Sequence, residues 1–101
     1  SREELAEADE ITLDLAEEVS FLNKAAIKKT LKNIRPGSKV TINAENSSYI
    51  AIDVLELIED FSNVYAKEND IEVVLKGFKS DYHDAERDRH SHVKVGHAAS
   101  I

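Results

Sequence analysis

Three short segments with strand-like patterns alternate along this chain with two segments of helical periodicity. Ile11 and Leu13 alternate with polar neighbours, as in a half-buried strand. Residues 39–44 (KVTINA) and 71–75 (IEVVL) are rich in the β-branched residues that favour strands. Short loops and right-handed crossovers turn such an order into a parallel sheet flanked by helices. The pattern predicts a small α/β fold with a mostly parallel sheet of about four strands.

The first helical segment follows Asn23, which we expect to be its N-cap because its side-chain oxygen can accept from free amides of the first turn. Ile27, Leu31 and Ile34 then recur at i, i+4 and i+7, the spacing of one helix face. Arg35, Pro36 and Gly37 follow and supply a turn, so we expect the helix to end near Ile34.

The second helical segment carries a broad apolar stripe from Val54 to Tyr65. Asp53 precedes the stripe, and we expect it to cap the helix and to place its charge at the positive end of the helix dipole. The segment closes at Asn69 and Asp70, before the last predicted strand.

The most apolar segments predict where the core lies. The nearly continuous run at 71–75 is typical of a strand that is covered on both faces. Four aromatic residues fall on predicted buried sides: Phe21, Phe61, Tyr65 and Phe78. The alternative for Phe21, together with Leu22, is partial exposure where another protein part docks.

The domain organisation is simple. Residues 1–10 form an acidic flank, residues 11–78 the predicted core, and residues 79–101 a polar segment with four histidines. No apolar run approaches the ~20 residues of a membrane span, and cysteine is absent. We therefore expect a cytoplasmic domain that does not insert into the membrane. Its formal net charge of −7 argues against nucleic acid as a partner.

Neither a metal site nor catalysis is predicted. His90 and His92 are candidates for a metal because a His-x-His pair on a strand directs both rings to one face. Their spacing matches no closed site, so an exposed polar tail is the favoured interpretation. The three glycines are scattered, so they form no glycine-rich phosphate loop. Ser47 and Ser48, which precede the second helical segment, have no histidine near them in the sequence that could act as a base. We expect no cofactor and no enzymatic activity.

Three ordered passages carry a family resemblance: residues 19–27 (VSFLNKAAI), 38–44 (SKVTINA) and 49–56 (YIAIDVLE). Together they resemble the STAS domain at the cytoplasmic C-terminus of SulP-type anion transporters, over about residues 11–78. The resemblance implies a STAS-like fold and a regulatory role at the inner face of the plasma membrane. The implied partner is the transmembrane domain of a sulfate- or bicarbonate-type transporter, or a regulatory protein. A homodimer is also left open.

Related STAS domains include anti-sigma-factor antagonists, in which a serine at the start of the second long helix is phosphorylated. The matching position here is Asp53, and Val54 stands where those proteins have glycine. The alternatives are therefore a free-standing antagonist-like signalling protein and a module of this fold that binds a small molecule or lipid. The resemblance places the partner-binding or phosphosite-equivalent loop at Ser47, Ser48, Tyr49, Ala51, Ile52, Asp53 and Val54.

Overall fold

The computed structural model of the chain describes residues 9–82. This part contains the strands β1 (Glu10–Asp14), β2 (Glu18–Val19), β3 (Lys39–Asn43), β4 (Tyr49–Ile50) and β5 (Glu72–Lys76). Its helices are α1 (Lys24–Lys32), α2 (Ile52–Asp60) and the short α3 (Ala66–Glu68). A 3-10 turn (Phe21–Asn23) precedes α1, and a π-helical segment (Phe61–Tyr65) joins α2 to α3. The predicted α/β fold is confirmed.

The strands form two parallel sheets. The larger has the order β1-β3-β5, and the smaller pairs β2 with β4. Within residues 9–82 the larger sheet thus has three strands where about four were predicted, because β2 pairs with β4 in a separate sheet. Because the strand order is β1-β3-β5, the chain moves across the sheet in the same direction at both crossovers. Right-handed crossovers in the same direction place α1 and α2 on one face of the sheet.

The core lies between that face and the helices. Val40 and Ile42 of the central strand are completely buried, and they belong to one cluster with Leu31 of α1 and with Val54 and Ile58 of α2. In the sheet register, Val40 is flanked by one residue of each edge strand, and so is Ile42. The result is two apolar rows under the helices, made of Ile11, Val40 and Val73, and of Leu13, Ile42 and Leu75.

The opposite face of the sheet is polar and is left open by residues 9–82. Its three rows are Glu10, Lys39 and Glu72; Thr12, Thr41 and Val74; and Asp14, Asn43 and Lys76. Parallel sheets usually have both faces covered. This one is a two-layer structure over the described residues, with helices on one side.

Within residues 9–82, the strand at 71–75 lacks the cover on both faces that was predicted. In this part of the chain β5 is an edge strand, and Leu75 is 49% exposed. An apolar run such as 71–75 indicates a strand, but it does not indicate whether the second face of that strand contacts a helix layer or solvent. Of the aromatic residues, Phe61 is buried, while Tyr65 and Phe78 are half-buried against the core. Phe61 and Tyr65 stack with their ring centroids 5.7 Å apart.

Candidate partner-binding surface at the helix starts

The small sheet holds the starts of α1 and α2 side by side. Val19 of β2 lies opposite Ile50 of β4, and the Ala51 N–H donates to the Val19 carbonyl at 2.8 Å. β2 runs directly into the 3-10 turn before α1, and β4 runs directly into α2. The 3-10 turn also contacts α2. Two short strands therefore bring two helix starts to one surface.

The start of α1 is built by a capping box that begins at Ser20. The Ser20 Oγ accepts from the Leu22 N–H at 3.2 Å, and the Asn23 Oδ1 accepts from the Ser20 N–H at 2.9 Å. Asn23 directly precedes α1 at the predicted N-cap position, but the prediction that its side chain caps this helix is wrong, because the side chain accepts from Ser20 instead and Asn23 already has helical backbone angles. The cap thus comes three residues earlier in the sequence.

This capping turn leaves Phe21 and Leu22 in solvent. Their exposed fractions are 63% for Phe21 and 77% for Leu22. The prediction that Phe21 is a core residue is wrong. In a strand that continued past Val19, Val19 and Phe21 would share one side, since they are two residues apart. The 3-10 turn changes the period at Ser20, so Phe21 does not share the buried side of Val19.

The start of α2 differs from the prediction by two residues. Ala51, with an extended backbone at φ −60° and ψ 144°, is the N-cap, and the helix begins at Ile52. Asp53 is not the cap; it lies in the first turn and is exposed, with its charge near the positive end of the helix dipole. Ile52 is 50% exposed. No side chain caps this helix. The Ala51 carbonyl accepts from the N–H groups of Val54 and Leu55, so the first turn is held by backbone hydrogen bonds.

The two serines before β4 have different environments. Ser47 is buried, and its hydroxyl donates to the Ala16 carbonyl at 2.6 Å. Ser48 is exposed, and its hydroxyl donates to the Glu17 carbonyl at 3.1 Å. Tyr49 is half-buried against the core. Ser47 thus fastens the loop to the segment before β2, and Ser48 is the serine that another protein can reach.

The seven predicted site residues therefore separate into two layers. Ser48, Ile52 and Asp53 are exposed. Ser47, Ala51 and Val54 are buried and support them from below, and Tyr49 lies between the two layers.

Two residues outside the predicted loop, Phe21 and Leu22, belong to the same surface, and their exposure is the alternative that the sequence left open beside a core position for Phe21. We define the helix-start surface as Phe21, Leu22, Ile52 and Asp53. Five large apolar side chains of the described residues are strongly exposed, and three of them lie here. The signal in the sequence is the spacing of Ser20 and Asn23, which is that of a capping box and places the two intervening residues on a turn.

A second concave region lies between α1 and α2. It is an open groove of about 440 Å³ with apolar residues such as Leu57 and Phe61 in its lining. Lysines line the α1 wall (Lys24, Lys28 and Lys32), and carboxylates line the α2 wall (Glu56 and Asp60). The two walls carry opposite charges, so the groove has no single-sign field that would select an anion or a cation.

Residues 9–82 contain no cluster of three potential metal-ligating side chains. His90 and His92 lie outside the described residues. None of the helices in the same range is both long and apolar enough to cross a membrane.

Comparisons of the chain with protein-family models, with curated proteins and with solved structures give no significant match.

Proposed function

We propose that this chain is a non-catalytic, STAS-like regulatory domain of a SulP-like anion transporter, and that it binds the membrane domain through its helix-start surface. The observation that carries the proposal is the exposed apolar pair Phe21 and Leu22 beside Ile52. These residues fall inside the passages on which the family resemblance rests.

The fold and the resembling passages support the proposal together. Residues 19–27 run from the last residue of β2 through the 3-10 turn into the first half of α1, and residues 49–56 cover β4 and the first half of α2. Residues 38–44 include the central strand β3. Two of the three passages therefore form the two neighbouring helix starts, and the third forms the strand beneath the helices.

The chemistry of the helix-start surface suits protein binding. Aromatic and aliphatic side chains that are exposed in the isolated domain lose water on docking, and such residues commonly dominate interface energies. The capping box fixes Phe21 and Leu22 on a short turn, so less conformational entropy is lost on binding than for a flexible loop. The nearby carboxylate of Asp53 gives the surface a negative rim that suits a basic cytoplasmic loop.

The reading frame of the gene and a cross-linking experiment test the proposal. The frame upstream of residue 1 is expected to encode several apolar stretches of about 20 residues. In that full-length protein, a photo-reactive amino acid at Leu22 is expected to cross-link to the transporter's own membrane segments or cytoplasmic loops. The matched control is Val64, an exposed apolar residue of the π-helical segment that is not part of the helix-start surface.

Three results would contradict the proposal. One is a gene that encodes no upstream membrane spans. Another is equal cross-linking from positions 22 and 64, which would mean that exposure alone determines the products. The last is cross-linking from position 22 to soluble proteins alone, which would favour the antagonist-like alternative.

The antagonist-like alternative makes a different prediction about phosphorylation. Asp53 occupies the position that matches the phosphorylated serine of those proteins, so the modification has to fall on a neighbouring hydroxyl. Ser48 is exposed and Ser47 is buried, which makes Ser48 the expected acceptor. Incubation with a cognate kinase and mass spectrometry, with Ser48→Ala as the control, distinguishes this alternative from the transporter proposal.

A further inference from the structure

β5 has an unpaired outer edge within residues 9–82, where β3 is its one neighbouring strand. The Glu72 N–H donates to the Ser38 carbonyl at 2.9 Å, and the Lys76 carbonyl accepts from the Ala44 N–H at 2.7 Å. Because alternate residues of a strand direct their backbone groups to opposite sides, the N–H and C=O groups of Val73 and Leu75 point away from β3. These groups form a template for another strand.

The side chains of β5 do little to block such pairing. The strand reads Glu-Val-Val-Leu-Lys, with neither proline nor glycine inside it. Leu75 is 49% exposed, and Val73 and Val74 are half-buried. Natural edge strands are commonly protected by proline, by bulges or by inward-pointing charges. In β5 the charges stand at the two ends and have opposite signs.

That order of residues is complementary to itself in the antiparallel direction. When two copies of β5 pair about a two-fold axis at Val74, Glu72 of each copy lies opposite Lys76 of the other. Val73 lies opposite Leu75 of the other copy. The backbone agrees with this register, since Val73 and Leu75 are the residues with outward N–H and C=O groups and form the hydrogen-bonded pairs of the ladder. Glu72 and Lys76 then form non-hydrogen-bonded pairs, in which side chains lie closest.

We propose that β5 is a self-association edge through which two copies of this chain join into one continuous six-stranded sheet, with the two-fold axis at Val74. The interface is isologous, as in most homodimers. It buries Leu75 and leaves both helix layers on the same side of the sheet. The proposal does not depend on the transporter function, because it rests on β5 and not on the helix-start surface.

The dimer is expected to be weak and reversible. A single pair of five-residue strands is smaller than the ~1,200–2,000 Å² interfaces of stable complexes. Lys76 has one ion pair in the described residues, with Glu45 at 3.8 Å, and both side chains are more than half exposed. Exposed pairs of this kind contribute little to stability, so Lys76 can exchange Glu45 for Glu72 of the second copy.

Charge reversal tests the register. In Glu72→Lys both charged positions of β5 become basic, and in Lys76→Glu both become acidic, so each variant is expected to repel itself. Sedimentation equilibrium of the full chain is expected to show dimerisation weakened about tenfold or more in each variant alone. An equimolar mixture of the two variants is expected to recover the wild-type affinity within about threefold, because each basic edge then meets an acidic edge. Urea unfolding of each variant checks that the monomer is folded.

A mixture that associates no better than its components would overturn the proposal. So would a wild-type chain that stays monomeric at millimolar concentration. Glu59→Lys, which reverses an exposed charge on α2 outside both edge strands, is the matched control and is expected to leave dimerisation unchanged.

A disulfide test is independent of the charged residues. The chain has no cysteine, so a single introduced thiol gives an unambiguous product. Val74→Cys lies on the two-fold axis in a non-hydrogen-bonded pair, where the Cβ atoms of two antiparallel strands come close enough for a disulfide. Thr12→Cys, at the centre of β1 on the same face, is the control. Mild oxidation is expected to give at least about tenfold faster dimer formation for Val74→Cys; equal rates would overturn the proposal.

Amide hydrogen exchange separates a second copy from another occupant of the edge. If a second copy covers β5, protection of the Val73 and Leu75 amides is expected to increase with protein concentration. Protection that is strong and independent of concentration would mean that the edge is covered from within the same chain, and would overturn the dimer.

Discussion

Within residues 9–82, β1 and β5 are the two edges of one sheet, and the sign of one terminal charge distinguishes them. Both are five residues long, both run parallel to β3, and both carry a carboxylate at the first position. At the last position β1 has Asp14 and β5 has Lys76. Antiparallel self-pairing would place Glu10 of β1 opposite Asp14 of a second copy, which is repulsive. The same pairing of β5 places Glu72 opposite Lys76 of the second copy, which is attractive. The sign of the charge on the last residue of the strand therefore decides whether self-pairing is favoured.

The apolar residues of the two edges follow the same division. Ile11 and Leu13 of β1 are half-buried under the helices, whereas Leu75 of β5 is exposed. The repelling edge therefore has little apolar surface to offer a second copy, and the attracting edge has more. In each strand the terminal charges and the apolar exposure predict the same behaviour, against self-pairing for β1 and in favour of it for β5. Substitutions in either strand can therefore test the comparison.

The largest expected effect separates the central strand from the edges. Ile42→Ala removes a completely buried side chain and is expected to lower the free energy of unfolding by about 2–5 kcal/mol at any protein concentration. Leu75→Ala, in the same row, is expected to cost under about 1 kcal/mol in dilute solution, because Leu75 is half-exposed there. Its cost is expected to increase with concentration as the dimer forms. Urea unfolding at two concentrations measures both, and a Leu75 cost that equals that of Ile42 in dilute solution would contradict the edge assignment.

The ends of the two edges provide the next comparison. β1 is followed by Leu15, and β5 by Gly77, which has a φ of 76°. A Cβ at Gly77 would lie 2.5 Å from the Glu45 Cγ and 2.7 Å from its Cα. Gly77→Ala is therefore expected to cost about 2 kcal/mol or more in urea unfolding and to weaken dimerisation by displacing Lys76. Gly37→Ala, at a φ of 82°, is the control for backbone strain and is expected to cost about 1 kcal/mol without affecting the dimer.

A single substitution is expected to make β1 resemble β5. Asp14→Lys gives β1 the terminal charges of β5, and a molecule with two self-complementary edges can form open chains. Sedimentation velocity is expected to detect species larger than the dimer. Asp14→Asn serves as the control, since it removes the charge without reversing it. Both variants alter the hydrogen bond in which the Asn43 amide donates to Asp14, at a cost of about 1 kcal/mol. Larger species in the Asn variant would mean that loss of repulsion alone opens the edge.

The smallest effect is expected away from both edges. Asp53→Asn changes an exposed residue that makes no capping hydrogen bond, so it is expected to alter the free energy of unfolding by less than about 0.5 kcal/mol and dimerisation not at all. A loss of binding to the proposed membrane-domain partner with unchanged stability would assign the Asp53 carboxylate to that proposed interface. Unchanged binding would leave the apolar residues of the helix-start surface as its main contacts.

The order of elements was predictable because periodicity and β-branched composition act locally. β1, β3 and β5 fall within one or two residues of the predicted strands, and Pro36 marks the end of the first helical region as expected. What could not be predicted was the number of layers. An apolar run such as that of β5 is compatible with a central or an edge strand, and the neighbour that decides between them is distant in sequence.

The predicted loop leads into α2 beside the start of α1, but neither predicted side-chain cap is formed. Asn23 is at the N-cap position of α1 without a capping hydrogen bond to that helix, and Asp53 is in the first turn of α2. Ser20 and Ala51 are extended, whereas Asn23 and Asp53 are already helical. Sequence alone does not distinguish a cap from a first-turn residue when both positions carry polar side chains.

The pairing of β2 with β4 makes the two helix starts mechanically dependent on each other. Each strand is two residues long, and the amide of Ala51 reaches across to the carbonyl of Val19 just before the Phe21 turn. A bound protein that displaces Phe21 or Leu22 is therefore expected to change the geometry of that hydrogen bond. The hydrogen-exchange rate and chemical shift of the Ala51 amide, at the N-cap of α2, are therefore expected to change when a partner binds at the start of α1.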